Sequence, residues 1–260
     1  MKLDPVLLRM AASWSLNAYK EENDNAIKIE NKFTGATAFI AKRKTIDIVA
    51  FRGTQKKLND ILTDLCVVPV PYAGRLCHAG FVIQHRSIWK EILKHIDPNK
   101  RTLFTGHSLA GALASLSCSK LRKHTNKNLN LVTFGKPNVY FKGFKRPMYL
   151  DNQVSCVHAG DIVAYIPRFC YGPSVSQTML YFANNGTTVV DPDERFKKTD
   201  RGNLKKRVEN HSMQGYVERV EEYIAQRELD ANKVSDIKKK RKAKKESKSE
   251  TKSSESSNTD

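Results

Sequence analysis

What the chain lacks narrows its class before any motif does. Nowhere in its 260 residues is there a run approaching the roughly 18 to 20 apolar residues that a membrane-spanning helix needs. The five cysteines, Cys66, Cys77, Cys118, Cys156 and Cys170, form no CxxC pair, and no histidines are paired beside them. A zinc site is therefore not expected. They read as reduced thiols, with Cys66–Cys77 the one bridge that oxidising conditions would favour. The first residues, MKLDPVLLRMAASWSLNAY, lack the apolar run of a secretory signal. They read instead as an amphipathic helix with Asp4 as cap and Pro5 in its first turn. An intracellular, cytoplasmic setting is the expectation from these features. Internal repeats are also missing.

Acidic charge is in short supply. Against 45 Lys and Arg stand 27 Asp and Glu, a net charge of +18. From Ala231 to Asp260 there are ten basic and five acidic residues, so most of the excess belongs to the body of the chain. Such a field favours anionic partners, whether nucleic acid, acidic lipid headgroups or small anions. The last segment, KKKRKAKKESKSETKSSESSNTD, has no bulky apolar residue and cannot offset its ordering entropy by burial. Two regions follow: an ordered domain over residues 1–230 and a disordered Lys/Ser-rich tail over 231–260. Within the tail, Lys238–Lys245 fits a nuclear-import signal, an anionic-surface tether or a plain solvated stretch.

What is present is an alternation of strands and helices. Strand patterns occur at Ala26–Glu30, Ala36–Lys42, Thr45–Phe51, Thr102–Thr105, Leu129–Phe134, Gln153–His158, Thr178–Phe182 and Thr187–Val190. Helical spacing marks Lys56–Leu65, His78–Ile96, Leu109–His124 and Met213–Leu229, and Val67–Gly74 reads as a Pro/Gly loop. The order predicts an α/β fold with a central, mostly parallel sheet flanked by helices.

One stretch carries chemistry. In LFTGHSLAGALASL, Ser108 stands between a β-run and a small-residue helix. A sharp strand-to-helix turn would lift its hydroxyl above the sheet edge, and Gly106, Ala110 and Gly111 would let strand and helix approach closely. The amide of Leu109 would then face an oxyanion formed at Ser108. The pattern is G-x-S-x-A, with its second glycine displaced to Gly111; a purely structural turn is the competing reading. A serine nucleophile needs a base, and the base an orienting acid. Asp161 follows a predicted strand and His211 precedes the last helix. Asp151, Asp191 and Asp193 compete as acids. His158 competes as base, although its place within a strand suits a structural role. His107 reads as packing and hydrogen-bonding support.

Seven segments in order resemble the class 3, fungal-type lipase family of the α/β-hydrolase fold: IVAFRGT, NDILTDL, CHAGFV, TGHSLAGALASL, LVTFGKPNV, VHAGDIVAYIP and NHSMQGY. The resemblance implies Ser108 as nucleophile, Asp161 as acid and His211 as base. It implies Thr54, with Leu109, as the oxyanion donors, and Gln55–Leu65 as a lid with an apolar face of Leu58, Ile61, Leu62 and Leu65. His78, Arg52 and Asp64 match family positions and read as structural. The activity implied is hydrolysis of acyl esters of lipids, acylglycerols or phospholipids, with no metal or organic cofactor and with transient contact to an anionic membrane. Rival readings are a non-lipid carboxylesterase or acyltransferase on the same scaffold, and a non-catalytic protein that binds anionic surfaces or nucleic acid.

Overall fold

The structure is a computed structural model that describes residues 4–20, 25–53, 68–122, 128–142, 152–167, 171–172 and 178–255. Two compact units are distinguished, Met1–Val220 and Glu221–Asp260.

The first unit is organised by an eight-stranded sheet. Its strands are β1 (Ile27–Asn31), β2 (Ala36–Lys42), β3 (Ile46–Phe51), β6 (Arg101–His107), β7 (Leu129–Phe134), β9 (Asn152–His158), β11 (Thr178–Phe182) and β12 (Thr188–Val190), in the order β1-β2-β3-β6-β7-β9-β11-β12. The five inner strands β3, β6, β7, β9 and β11 run parallel, and the outer pairings are antiparallel. Strands buried on both faces read as near-continuous apolar runs. IDIVAF in β3 and LNLVTF in β7 are of that kind, buried at every position. The mostly parallel α/β architecture expected from the alternation is the one observed.

Helices cover the two faces. The first, α1 (Pro5–Asn17), starts where Asp4 accepts from the N–H groups of Val6 and Leu7 and buries Leu7, Leu8, Ala11, Ala12 and Trp14. On the other side α2 (Ala79–His95) and α3 (Leu109–Arg122) pack together. The main core joins Phe81, Ile88 and Ile92 of α2 to Leu113 and Leu116 of α3 and to Val49 and Phe104 of the sheet.

The expected Pro/Gly loop holds more structure than its sequence suggests. Pro69–Tyr72 (β4) pairs with Arg75–His78 (β5), and β8 (Tyr140–Phe141) and β10 (Tyr171–Gly172) complete a second sheet, ordered β10-β8-β5-β4. Two short helices, α4 (Glu194–Thr199) and α5 (Leu204–Glu209), precede the last helix, α6 (Met213–Glu255). That helix runs past Leu229 into the Lys/Ser-rich segment, as far as Glu255. The segment holds neither glycine nor proline after Gly215, and Lys, Arg, Ala and Glu are good helix formers. Cys77, Cys118 and Cys156 are buried free thiols; the Cys66–Cys77 reading involves Cys66, which lies outside the described residues. Among the described residues no helix is long and apolar enough to cross a membrane.

Candidate active site

The register of the parallel strands brings their C-terminal ends to one edge. Phe51 of β3 lies opposite Gly106 of β6, His107 opposite Phe134 of β7, and Phe134 opposite Cys156 of β9. Ser108 follows directly on β6 and α3 begins at Leu109. A strand cannot become a helix in one residue without an unusual dihedral, and Ser108 takes it, with φ at +60°. That left-handed conformation costs a non-glycine residue about 1–2 kcal/mol. Its N–H donates to Phe134 O at 2.9 Å and its carbonyl accepts from Gly111 N–H at 2.9 Å, which pins the turn from both sides.

The fit behind the elbow explains Ala110. A Cβ on Gly106 would lie 2.6 Å from the carbonyl carbon of Ala110 and 2.8 Å from its Cβ. The missing side chain at 106 makes the room that Ala110, itself fully buried, occupies. The alanine in place of the motif's second glycine is thus accommodated without displacing the turn.

The structure brings three of the sequence-selected side chains together. His211 Nε2 lies 2.9 Å from Ser108 Oγ. On the other side of the ring, Nδ1 lies 3.0 and 2.9 Å from the two carboxylate oxygens of Asp161. Asp161 is fully buried, Ser108 nearly so, and the exposed fraction of the His211 side chain is 9%. Asp161 Oδ1 also accepts from Val163 N–H at 2.9 Å. With Nδ1–H donating to the carboxylate, Nε2 is the ring's acceptor and meets the serine hydroxyl. Leu109 stands at the start of α3, where the first N–H groups have no intrahelical acceptor. Its amide is therefore available beside Ser108.

The competing residues are elsewhere engaged. Asp191 accepts from Met179 N–H, and Asp193 caps α4 by accepting from Phe196 N–H. His158 holds Asp161 by its backbone, since its carbonyl accepts from Asp161 N–H at 3.0 Å, while its ring packs against Phe182 and Tyr216. Arg52 donates its backbone N–H to Thr37 O. His78 is buried, stacked on Phe81 at 4.3 Å, and burial lowers its pKa to about 4. Thr54, the lid segment Gln55–Leu65, Asp64 and Asp151 lie outside the described residues.

Sequence reasoning missed three participants. Tyr216 donates its hydroxyl to Asp161 Oδ2 at 2.6 Å and accepts from His158 N–H at 2.9 Å. Burial and the adjacent carboxylate push its pKa well up, so it remains a donor. A signal was present: Tyr216 is the one hydroxyl on the buried stripe Met213, Tyr216, Val220. The second is Gly135, at φ +52°, where a Cβ would lie 2.5 Å from Asp161 Oδ2 and 3.0 Å from His211 Nδ1. Only glycine suits that approach. The third is Tyr19, whose hydroxyl lies 2.7 Å from His107 Nδ1. The His107 ring sits 4.5 Å from that of His211. Burial first, and the neighbouring His211 second, hold His107 well below the usual histidine range. A neutral His107 leaves an imidazolium at 211 free of a facing cation.

Known proteins similar to this chain include lipases. The class 3 lipase family matches residues 48–170. A lipase of Rhizomucor miehei is 31% identical over 149 residues, 50% of this chain and 39% of that protein. A lipase of Rhizopus niveus is 30% identical over 148 residues, again 50% of this chain and 37% of the relative. The chain thus spans about two-fifths of the length of the curated relatives it matches. Among solved structures, Rhizomucor miehei triacylglyceride lipase superposes with a TM-score of 0.57 at 20% identity, covering 71% of this chain and 80% of that one. The lipase of Rhizopus microsporus var. chinensis reaches 0.62 at 20% identity, covering 79% and 84%. Motif, match and topology agree: over residues 48–170 the chain is similar to class 3, fungal-type lipases, and it is built on the α/β-hydrolase fold.

Proposed function

We propose that the protein hydrolyses acyl esters of lipids, acylglycerols or phospholipids, through Ser108, His211 and Asp161. The observation that carries the reading is the unbroken chain of contacts from Ser108 Oγ through the His211 ring to Asp161, at 2.9 Å and 2.9–3.0 Å. Ser108 Oγ attacks the ester carbonyl while His211 Nε2 takes its proton. The carbonyl electrons move to oxygen, facing the amide of Leu109 and, by family resemblance, Thr54. Each such donor contributes roughly 3–4 kcal/mol to the transition state. His211 then protonates the departing alcohol, and the acyl group remains on Ser108. Water, deprotonated by His211, attacks the acyl-enzyme and releases the fatty acid, restoring the serine. Asp161 holds the imidazole with Nε2 toward the serine and stabilises its charged form. None of these steps calls on a metal or an organic cofactor.

The lipid assignment rests on the family resemblance, and the basic composition favours contact with an anionic membrane or lipid surface. The chain's composition suits an intracellular site of action, with Lys238–Lys245 a candidate tether to nucleus or membrane. The purified protein and its Ser108→Ala variant, assayed on a panel of defined mono-, di- and triacylglycerols, phospholipids and short soluble esters, test the proposal. Ser108-dependent release of fatty acid from the lipid esters is the expected result. Preference for short soluble esters, with no gain from an aggregated substrate, would favour a non-lipid carboxylesterase. No turnover by the folded protein would favour a binding protein.

A further inference from the structure

The edge of the sheet that carries Ser108 carries something else. Ala38 of β2 lies opposite Phe51, which lies opposite Gly106, and β1 and β2 close their pairing at Asn31–Ala36. The turn between them therefore projects past the same edge as Ser108, two strand steps away, about 10 Å at the usual strand spacing. At its tip Phe33 is fully exposed, beside exposed Lys32. The turn is firmly built, with Asn31 Oδ1 accepting from the N–H groups of Phe33 and Thr34. Phe33 is thus held out by the structure around it.

On the opposite flank, α5 leads into His211. It is fixed to the loop of Asp161, since Ile162 N–H donates to Arg207 O and Arg207 Nε donates to Gly160 O at 3.1 Å. This helix buries no residue at all. Leu204 and Val208, four apart and so on one face, are 63% and 46% exposed. Lys205 and Lys206 between them are exposed as well. From Glu194 to Glu209 the chain carries seven Lys and Arg against three acidic residues. A lone exposed apolar residue needs no explanation. Apolar side chains set among lysines on both flanks of one catalytic edge do.

We infer that Phe33 and the Leu204/Val208 face form the two apolar feet by which this edge docks on an anionic lipid surface, with Lys32 and Lys205 beside them meeting the headgroups. The inference rests on the lipid-ester reading above and deepens it. An ester carbonyl in a lipid aggregate reaches Ser108 only if the surface around the elbow abuts the aggregate. Binding of that kind grows with the apolar area inserted and with attraction to acidic headgroups. The charge complementarity selects an anionic surface over a neutral one.

The test is co-sedimentation of the full chain, carrying Ser108→Ala to silence turnover, with vesicles of phosphatidylcholine containing about a quarter phosphatidylglycerol, and with vesicles of phosphatidylcholine alone. Phe33→Ser, or Leu204→Ser with Val208→Ser, is expected to weaken binding to the anionic vesicles by about tenfold or more, the transfer of one large apolar side chain. Hydrolysis of a soluble short-chain ester by the same variants with Ser108 restored should be unchanged. Lys32→Glu with Lys205→Glu, which leaves all apolar packing intact, should weaken anionic binding and leave the neutral-vesicle result unaltered. Should a serine variant unfold, this charge pair decides the matter. Equal binding by wild type and all variants, or no vesicle binding by wild type, overturns the inference. Vesicle binding that follows the expected pattern while wild type hydrolyses no ester keeps the docking surface and rejects the catalytic reading.

Discussion

The hydroxyl of Tyr216 lies 2.6 Å from Asp161 Oδ2 and accepts, at 2.9 Å, from the N–H of His158. One phenol therefore orients the acid and ties it to the end of β9. Replacing it by phenylalanine keeps the ring packing, removes a hydrogen bond to a charged group and leaves a buried N–H without a partner. Tyr216→Phe should lower kcat/KM by about tenfold, the equivalent of roughly 1.4 kcal/mol. It should also destabilise the fold by about 1–3 kcal/mol. Steady-state kinetics and urea unfolding of the variant check both.

Gly135 is a point of close approach between the acid and the base. Gly135→Ala would set a methyl 2.5 Å from Asp161 Oδ2 and 3.0 Å from His211 Nδ1, at a backbone φ of +52°. The acid and base must shift apart, and a displacement on the order of 1 Å costs about 100-fold in rate. The expected signature is a fall in kcat with KM little changed, because the added methyl meets Asp161, His211 and Tyr216.

Asp161 fixes the tautomer of His211 through the contacts at 3.0 and 2.9 Å. Asp161→Asn offers an amide where a carboxylate is required. A loss of about 10⁴-fold in kcat is the expected size for the wrong tautomer in such an arrangement. Replacement of Asp191 or Asp193, which serve a turn and a helix cap, should leave kcat within a few fold.

A stability prediction comes from the core, away from the site. His85 is fully buried, with Nδ1 2.7 Å from Tyr72 Oη and Nε2 2.8 Å from Ser117 Oγ. Burial, reinforced by Lys120 and Arg86, lowers its pKa to about 3. Its folded pKa lies below that of the unfolded chain, near 6.5, so between those values the unfolded state binds the extra proton. Stability is then present above pH 6.5 and is lost as pH falls toward 3, with a slope of up to about 1.4 kcal/mol per pH unit from this group. Urea unfolding from pH 7 to pH 4.5 should show that slope, and His85→Gln should flatten it.

How much of this was legible beforehand depended on the size of each signal. The parallel strands were readable because burial on both faces demands long apolar runs such as IDIVAF and LNLVTF. The elbow was readable because a left-handed serine between strand and helix requires small neighbours on both sides. The second sheet was not, since β8 and β10 have two residues each and such a length carries no periodicity. The short helices α4 and α5 went unread for the same reason, although their caps Asp193 and Asn203 were visible in the sequence. Tyr216 and Gly135 were hidden because their importance is a distance, set only when β7, β9 and α6 come together.

The most direct measurement is covalent labelling with a fluorophosphonate probe, followed by mapping of the modified peptide. Ser108, 2.9 Å from its base, should carry the adduct. Labelling should vanish in Ser108→Ala and fall steeply in Asp161→Asn. Folded protein that stays unlabelled, or an adduct mapped to another serine, would contradict the assignment of Ser108 as the nucleophile.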